Sequence, residues 1–175
     1  WDRNGAFVSQ IGAYGSGDGQ FEWPVAVVLD RAGNLYVLDN IGNRVQKFDS
    51  NGAYLLQCGT YGSADGQFDD PYDLAIDNND QLYVADSHNN RIQKFDSDGT
   101  HLLSWGTAGS GNGQFDWPTA VAVDSSGHLY VADTNNSRVQ KFDSNGDYLT
   151  QWGGHGSGNG QFDSPYAVDV GDDSK

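Results

Sequence analysis

One segment recurs along this chain at a fixed step of 47 residues. It runs from Gly66 to Asn112 and reads GQFDDPYDLAIDNNDQLYVADSHNNRIQKFDSDGTHLLSWGTAGSGN, with similar copies on both sides. The step holds without insertion or deletion, since 71 − 24, 118 − 71 and 165 − 118 all equal 47 for Pro24, Pro71, Pro118 and Pro165. An internal period of about 20 to 50 residues indicates a solenoid, a propeller or an array. The repeat therefore constrains the fold before any other feature.

Each copy contains four short β patterns separated by turn signals. The first follows the proline, the second is LYVLD or LYVAD, and the third is RVQKFD or RIQKFD. The fourth is AYLLQCG, THLLSWG or DYLTQWG; FVSQIG near the N-terminus is a further fourth pattern, and AVDV from Ala167 is a further first pattern. Gly or Asn interrupts every eight to ten residues, so no helical period is sustained. Four antiparallel strands per 40–50 residues predict the blades of a β-propeller.

The segment LYVADSHNNRIQKFDSDG, which begins at Leu82, resembles the NHL repeat. Three copies of its LYVxD and R-V/I-QKFD elements carry the resemblance, which extends over essentially the whole chain. It implies an all-β propeller of NHL type, usually six-bladed, with four-stranded antiparallel blades. It implies little about activity, because one fold serves many functions.

The period divides the chain into three full copies and two partial ones. We place the end of a repeat at 1–18, full repeats at 19–65, 66–112 and 113–159, and the start of a repeat at 160–175, about 3.7 repeats in all. Four copies would need 4 × 47 = 188 residues, which is 13 more than the 175 present. We therefore expect part of a larger propeller, or a homo-oligomer whose incomplete terminal blades complete one another.

The charge of the chain disfavours some partners. There are 9 basic and 24 acidic residues, a net charge of −15. Binding to nucleic acid depends on Lys and Arg contacts with phosphates, so we expect no nucleic-acid partner. No apolar run approaches the roughly 18 residues of a membrane span. A cationic protein, a metal ion or a sugar is more compatible with this charge.

An Asp and an Arg recur five residues apart on either side of the loop between the second and third strands. The pairs are Asp39 with Arg44, Asp86 with Arg91, and Asp133 with Arg138. Catalytic groups seldom repeat in every blade, whereas a guanidinium can bind a carboxylate and loop carbonyls together. We interpret these residues as structural pairs.

The histidines and the cysteine give little support for catalysis. Relatives with NHL repeats include an amidating lyase that holds zinc through histidines in its channel. Here His88, His101, His128 and His155 occupy four different repeat positions, so convergence on one ion is not expected. Cys58 fills a slot that is Trp in two other blades, and we interpret it as a small buried apolar residue. We predict no catalytic residue and no resident cofactor.

Two carboxylates break the repeat on the first strands. Asp73 stands where other copies have Ala26, Ala120 and Ala167, and Asp169 stands where others have Val or Ala. First strands line the channel of a propeller, so these residues either bind Ca²⁺ or a cationic group or are ordinary solvated channel residues. The hairpin segments DSNG and DSDG also resemble short calcium loops, although turns use the same residue types.

Acidic and aromatic residues cluster at the links between copies, beside the loops that follow the second strands. These candidate binding residues are Tyr14, Glu22, Trp23, Tyr61, Asp69, Asp70 and Trp117. Aromatic side chains at variable positions are typical interface anchors; the alternative is a rim packed by neighbouring loops. We predict a non-catalytic scaffold that binds a protein or another ligand on this face. The alternatives are a channel-site enzyme resembling peptidyl-hydroxyglycine amidating lyase, and an RNA-binding NHL domain, which the charge disfavours.

Overall fold

The computed structural model describes residues 4–7 and 9–171. All regular structure in these residues is β, so no helix there has the length or apolar character needed to cross a bilayer. The strands are β1 Ala13–Tyr14, β2 Gln20–Phe21, β3 Pro24–Leu29, β4 Leu35–Asp39, β5 Arg44–Phe48, β6 Tyr54–Cys58, β7 Pro71–Ile76, β8 Leu82–Asp86, β9 Arg91–Phe95, β10 His101–Trp105, β11 Pro118–Val123, β12 Leu129–Asp133, β13 Arg138–Phe142 and β14 Tyr148–Gly153.

Twelve of these strands form three antiparallel sheets in which neighbours in sequence are neighbours in space. Blade 1 is β3–β6, blade 2 is β7–β10 and blade 3 is β11–β14. The register repeats as well, because Leu35 pairs with Phe48, and the equivalent residues of blades 2 and 3 pair in the same way. The predicted all-β blades of four antiparallel strands are therefore confirmed.

The blades pack face to face because their central strands are apolar on both sides. Side chains from blades 1 and 2 form one core cluster: Tyr36, Leu38, Val45, Phe68, Leu74, Leu82, Val84 and Phe95. Blades 2 and 3 form an equivalent cluster: Ala75, Tyr83, Ala85, Ile92, Phe115, Val121, Leu129, Val131 and Phe142. Alternate residues of blade 2 thus contact different neighbours, as expected for strands covered on both faces.

A phenylalanine from each link lies between or against the blades. Phe68 and Phe115 are fully buried, and each forms a parallel bridge with a residue of its own link. The ring of Phe68 lies directly over Gly59, where an added Cβ would come within 2.4 Å of it, and φ of Gly59 is +95°. Glycine is required there because it provides both the space and the positive φ. The links therefore contribute to the core.

The hairpins between the third and fourth strands, at the end of the blades away from the links, are stabilised by aspartates. In the β5–β6 turn, Asp49 Oδ1 accepts the amide hydrogens of Asn51 at 2.9 Å and of Ala53 at 2.8 Å. Asp96 and Asp143 do the same in blades 2 and 3. These side chains mimic a backbone turn, which is why the same residue recurs.

Two predicted strands are not found among the described residues. Residues 167–170 (AVDV) have no strand assignment, and neither do Phe7 and residues 9–12 of FVSQIG; Val8 and Trp1 lie outside the described residues. In the blades, a first strand pairs with an LYVAD strand and a fourth with an RVQKF strand. The end segments find no such partner among the described residues, and a β pattern without a partner cannot complete a ladder. The two-stranded sheet β1–β2 occupies the N-terminal region instead.

Candidate functional site

The turns after β4, β8 and β12 lie at the same end of the blades as the links between them. This end, which we call the loop face, comprises the turns 40–43, 87–90 and 134–137 and the links 12–23, 59–70 and 106–117. The arginines that begin the third strands hold the links to the blades. Arg91 donates to the carbonyls of Ser63, Ala64 and Gln67 at 2.8–2.9 Å, and Arg44 and Arg138 bind their links in the same way.

Each of these arginines also contacts the aspartate five residues earlier. The distance from Nε to Oδ2 is 3.3 Å for Arg44 and Asp39, and 2.7 Å for the other two pairs. All three aspartate side chains are fully buried. Burial raises the pKa of Asp86, although hydrogen bonds from the Asp69 amide, Arg91 and Asn89 oppose the shift. These pairs serve the scaffold that positions the loop face.

An amide side chain connects each of the first two loops to the next blade. Asn43 Oδ1 accepts the amide hydrogen of Asp70 at 3.1 Å, and Asn90 Oδ1 accepts that of Trp117 at 2.9 Å. Asp70 and Trp117 have φ of 53° and 57°. Positive φ is costly for a bulky residue such as Trp, so the hydrogen bond holds Trp117 in a specific orientation. Trp23, at the equivalent position of blade 1, has no positive φ and donates its amide to Asp39 instead.

Asp69 and Asp70 line a groove between blades 1 and 2 on the loop face. The groove has a volume of about 330 Å³, and its walls are Asn40, Ile41, Asn43, Asp69, Asp70 and His88. Asn40 Nδ2 donates to Asp70 Oδ1 at 2.7 Å, and His88 Nδ1 lies 3.5 Å from Asp69 Oδ1. The groove therefore combines fixed carboxylates with the exposed apolar side chain of Ile41.

Aromatic residues adjoin this groove. The ring of Trp117 lies 5.6 Å from that of His88 and 6.0 Å from that of Tyr72. The structure thus brings together Asp69, Asp70 and Trp117 of the predicted binding residues. Sequence reasoning missed Ile41, His88 and Tyr72. The signal for Tyr72 was present, because the position after the proline varies: it is Val25, Tyr72, Thr119 and Tyr166.

The other predicted binding residues lie elsewhere on the loop face. Tyr14 and Tyr61 project from the links and are 84 % and 71 % exposed. Glu22 is half-buried, with its amide donating to Asp39 Oδ1 at 3.0 Å. Trp23 is 60 % exposed and lines a different cavity. None of these side chains lines the groove beside Asp69.

That second cavity lies along the first strands, where β3, β7 and β11 run side by side. Its volume is about 490 Å³, and its lining includes Trp23, Tyr72, Asp73, Thr119 and Tyr166. Asp73 also lines an adjoining cavity of about 480 Å³ that reaches Asp169. The two predicted channel carboxylates therefore share one cavity.

The two channel carboxylates differ in environment. Asp73 Oδ2 accepts the amide hydrogen of Val121 in blade 3 at 3.0 Å. Burial raises its pKa and outweighs the hydrogen bonds from the Val121 and Leu74 amides. Asp169 is exposed, and its Oδ1 accepts the amide hydrogen of Val170 at 2.9 Å.

The histidines do not converge on one place. Each lies within 4 Å of a different aspartate: His88 of Asp69, His101 of Asp65, His128 of Asp124 and His155 of Asp163. Among residues 4–7 and 9–171, no group of three or more His, Cys, Asp or Glu side chains is arranged to hold a metal ion. Calcium binding by Asp73 and Asp169 stays a prediction.

The sequence of the hairpins resembles a calcium loop, but in the structure the Oδ1 atoms of their aspartates accept hydrogen bonds from backbone amides. These hydrogen bonds, from Ala53 and Asp147 above all, lower the pKa of Asp49 and Asp143. Cys58 is only half-buried as a residue, packed against the core between blades 1 and 2, and burial of its thiol raises the pKa to about 12. The turn therefore explains the hairpin aspartates, and packing explains Cys58.

Comparison with known proteins identifies both the repeat and the fold. A family model for the NHL repeat matches residues 68–95 and 115–142. No curated protein matches the chain in sequence. Similar solved structures include U3-55K, with a TM-score of 0.69 and 15 % identity over 85 % of this chain and 43 % of that one.

Two further structures show the same likeness. Hydrazine synthase from Kuenenia stuttgartiensis gives a TM-score of 0.65 at 14 % identity, over 89 % of this chain and 42 % of that one. A catalytically inactive virginiamycin B lyase from Staphylococcus aureus, solved with quinupristin, gives 0.62 at 14 % identity, over 82 % and 44 %. The chain thus spans less than half the length of these structures, and the likeness shows the fold alone. Residues 68–95 and 115–142 are NHL repeats, and the chain that carries them has the β-propeller fold.

Proposed function

We propose that this protein is a non-catalytic interaction scaffold that binds a protein partner on its loop face. The observation that carries the proposal is the groove between blades 1 and 2, where Asp69 and Asp70 stand beside exposed Ile41 and the Trp117 ring. Carboxylates next to apolar and aromatic surface suit a segment with basic and apolar side chains. The net charge of −15 favours a cationic partner for the same reason.

The rigidity of the groove supports the proposal. Asn40 Nδ2 donates to the Asp70 carboxylate, and Asn43 Oδ1 accepts the backbone amide hydrogen of Asp70. Asn90 Oδ1 accepts that of Trp117 in the same way. A preorganised surface loses less conformational entropy on binding. The four histidines each lie beside a different aspartate and do not converge on one ion, which disfavours the histidine-bound zinc of the lyase alternative.

Site-specific photocrosslinking tests the proposal. A benzoylphenylalanine at Ile41, which is 54 % exposed, should capture a defined set of proteins from an extract of the source cells. The matched control is the same group at Leu55, which is 48 % exposed on strand β6 of blade 1. We expect the crosslinker at Ile41, but not the one at Leu55, to capture proteins. Adding Asp69→Asn and Asp70→Asn to the Ile41 variant should abolish this capture. Identical captures at both positions, or captures unaffected by the two Asn substitutions, would contradict the proposal.

A further inference from the structure

The cavity beside the first strands contains a carboxylate that the scaffold does not require. Asp73 bonds the Val121 amide across the interface between blades 2 and 3. In blade 1 the equivalent residue is Ala26, whose side chain has no hydrogen-bond acceptor. Blades 1 and 2 nevertheless share a continuous core, as blades 2 and 3 do. Two of the three blades thus have alanine at this position. Asp73 is therefore not explained by the repeat.

No counter-charge within the described residues compensates this carboxylate. No Lys, Arg or His nitrogen among residues 4–7 and 9–171 lies within 4.0 Å of Asp73, whereas each repeating aspartate of the loop face has an arginine. Its raised pKa has the same origin, because burial is opposed only by backbone amides. A partly buried carboxylate without a cation costs stability, and such a group in a cavity is characteristic of binding sites.

Aromatic side chains surround the approach to Asp73. Trp23 and Tyr166 are 60 % and 62 % exposed, and half-buried Tyr72 belongs to the same lining. The cavity volume of about 490 Å³ lies within the roughly 300–1,000 Å³ range of small-ligand pockets. Indole and phenol rings attract cations through their faces. The cavity lining therefore combines three aromatic side chains with one carboxylate.

We propose that this cavity binds an alkylammonium group, with Asp73 as the counter-ion and Trp23, Tyr72 and Tyr166 as the aromatic wall. The inference rests on the proposed loop-face function in one respect: the cavity lining includes the starts of the first strands, next to the loop face, so a lysine of a bound partner can supply the ammonium. A free small amine carries the same chemistry. The binding itself does not depend on the groove beside Asp69.

Titration of the purified chain with butylammonium chloride, followed by tryptophan fluorescence and by amide chemical shifts, tests the site. We expect saturable binding that 1-butanol, a neutral analogue of similar size, does not reproduce. Asp73→Ala installs the residue already present in blades 1 and 3, and should weaken binding about tenfold or more. Asp73→Asn keeps an acceptor for the Val121 amide and should weaken it equally. Asp98→Asn, an equal charge change on an exposed hairpin, should leave it unchanged.

Two results would overturn the site: equal binding of 1-butanol, or butylammonium binding that is unaffected by both Asp73 substitutions in folded protein. A second titration with N-acetyl-lysine amide distinguishes the two sources of the ammonium group, a partner's lysine and a free amine. Binding of both probes supports a partner's lysine, and binding of butylammonium alone supports a free amine. Asp73 does not line the groove beside Asp69, and Asp69 and Asp70 do not line this cavity. A failure here therefore leaves the photocrosslinking result intact, and the two proposals fail separately.

Discussion

Replacing Arg91 with alanine should show how much the arginine of a blade contributes to the free energy of unfolding. The side chain donates to Asp86 Oδ2 at 2.7 Å and to the link carbonyls of Ser63, Ala64 and Gln67. Removal leaves the Asp86 carboxylate fully buried without its cation. Breaking a buried ion pair from one side costs about 3–5 kcal/mol.

The structure favours the lower end of that range. Asp86 keeps hydrogen bonds from the Asp69 amide, Asn89 and Gln93, and water can reach the exposed Ser63 carbonyl. We therefore expect a loss of about 3 kcal/mol in the free energy of unfolding. For a chain of this size, that corresponds to a fall of roughly 6–12 °C in Tm.

Urea and thermal denaturation monitored by circular dichroism measure the loss. Arg31→Ala is the matched control, because Arg31 is exposed and, within residues 4–7 and 9–171, its guanidinium has a single hydrogen bond, to the exposed Asn78 carbonyl at 2.9 Å. We expect that change to cost less than about 1 kcal/mol. Arg91→Lys keeps the charge without the planar fork and should fall between the two.

The loss of unfolding free energy caused by Arg91→Ala should also depend on pH. Burial raises the pKa of Asp86 in the folded state, so the folded protein takes up this proton at a higher pH than the unfolded chain does. Removing Arg91 raises that pKa further. The deficit of Arg91→Ala should therefore be largest at neutral pH and shrink as the pH falls through the folded-state pKa, since a neutral Asp86 needs no cation. A deficit no larger than that of Arg31→Ala, or one that grows on acidification, would refute the reasoning.

The remaining predictions concern buried side chains. Phe68→Ala should cost about 3–5 kcal/mol in urea denaturation, because the ring is fully buried between blades 1 and 2. Phe162→Ala, at the half-buried equivalent position, should cost clearly less, and equal losses would show that Phe68 is not a wedge between blades. Cys58, whose thiol pKa is raised to about 12, should react with iodoacetamide at pH 8 much more slowly in folded than in urea-unfolded protein, as followed by mass spectrometry. Equal rates would contradict its burial.

Local chemistry explains why the blades could be predicted from the sequence. The period of 47, the alternating apolar residues and the Asp-x-x-Gly turns each act over a few neighbouring residues, and each specifies a strand or a hairpin wherever a partner strand exists. The same reasoning failed at residues 167–170 for a physical reason. The local pattern is that of a strand, but strand formation depends on a hydrogen-bonded neighbour.

The candidate site depends on contacts that no local pattern contains. Asn90 binds the amide of Trp117, 27 residues later, and Asp73 binds that of Val121, 48 residues later. The left-handed conformation of Trp117 could not be foreseen, because tryptophan does not favour it. The repeat did identify Asp73 as exceptional, since alanine occupies its place in the other copies.

By itself, the sequence determined an all-β chain of repeated four-stranded blades, because periodicity and turn chemistry act within one copy. Only the tertiary structure decided which differing residues meet. Packing one blade on the next brings Ile41 to Asp69 and Asp70, Trp117 to His88, and Asp73 to Trp23 and Tyr166. Those pairings depend on the angle and separation between blades, which are set by the buried side chains of both faces together and by no single segment.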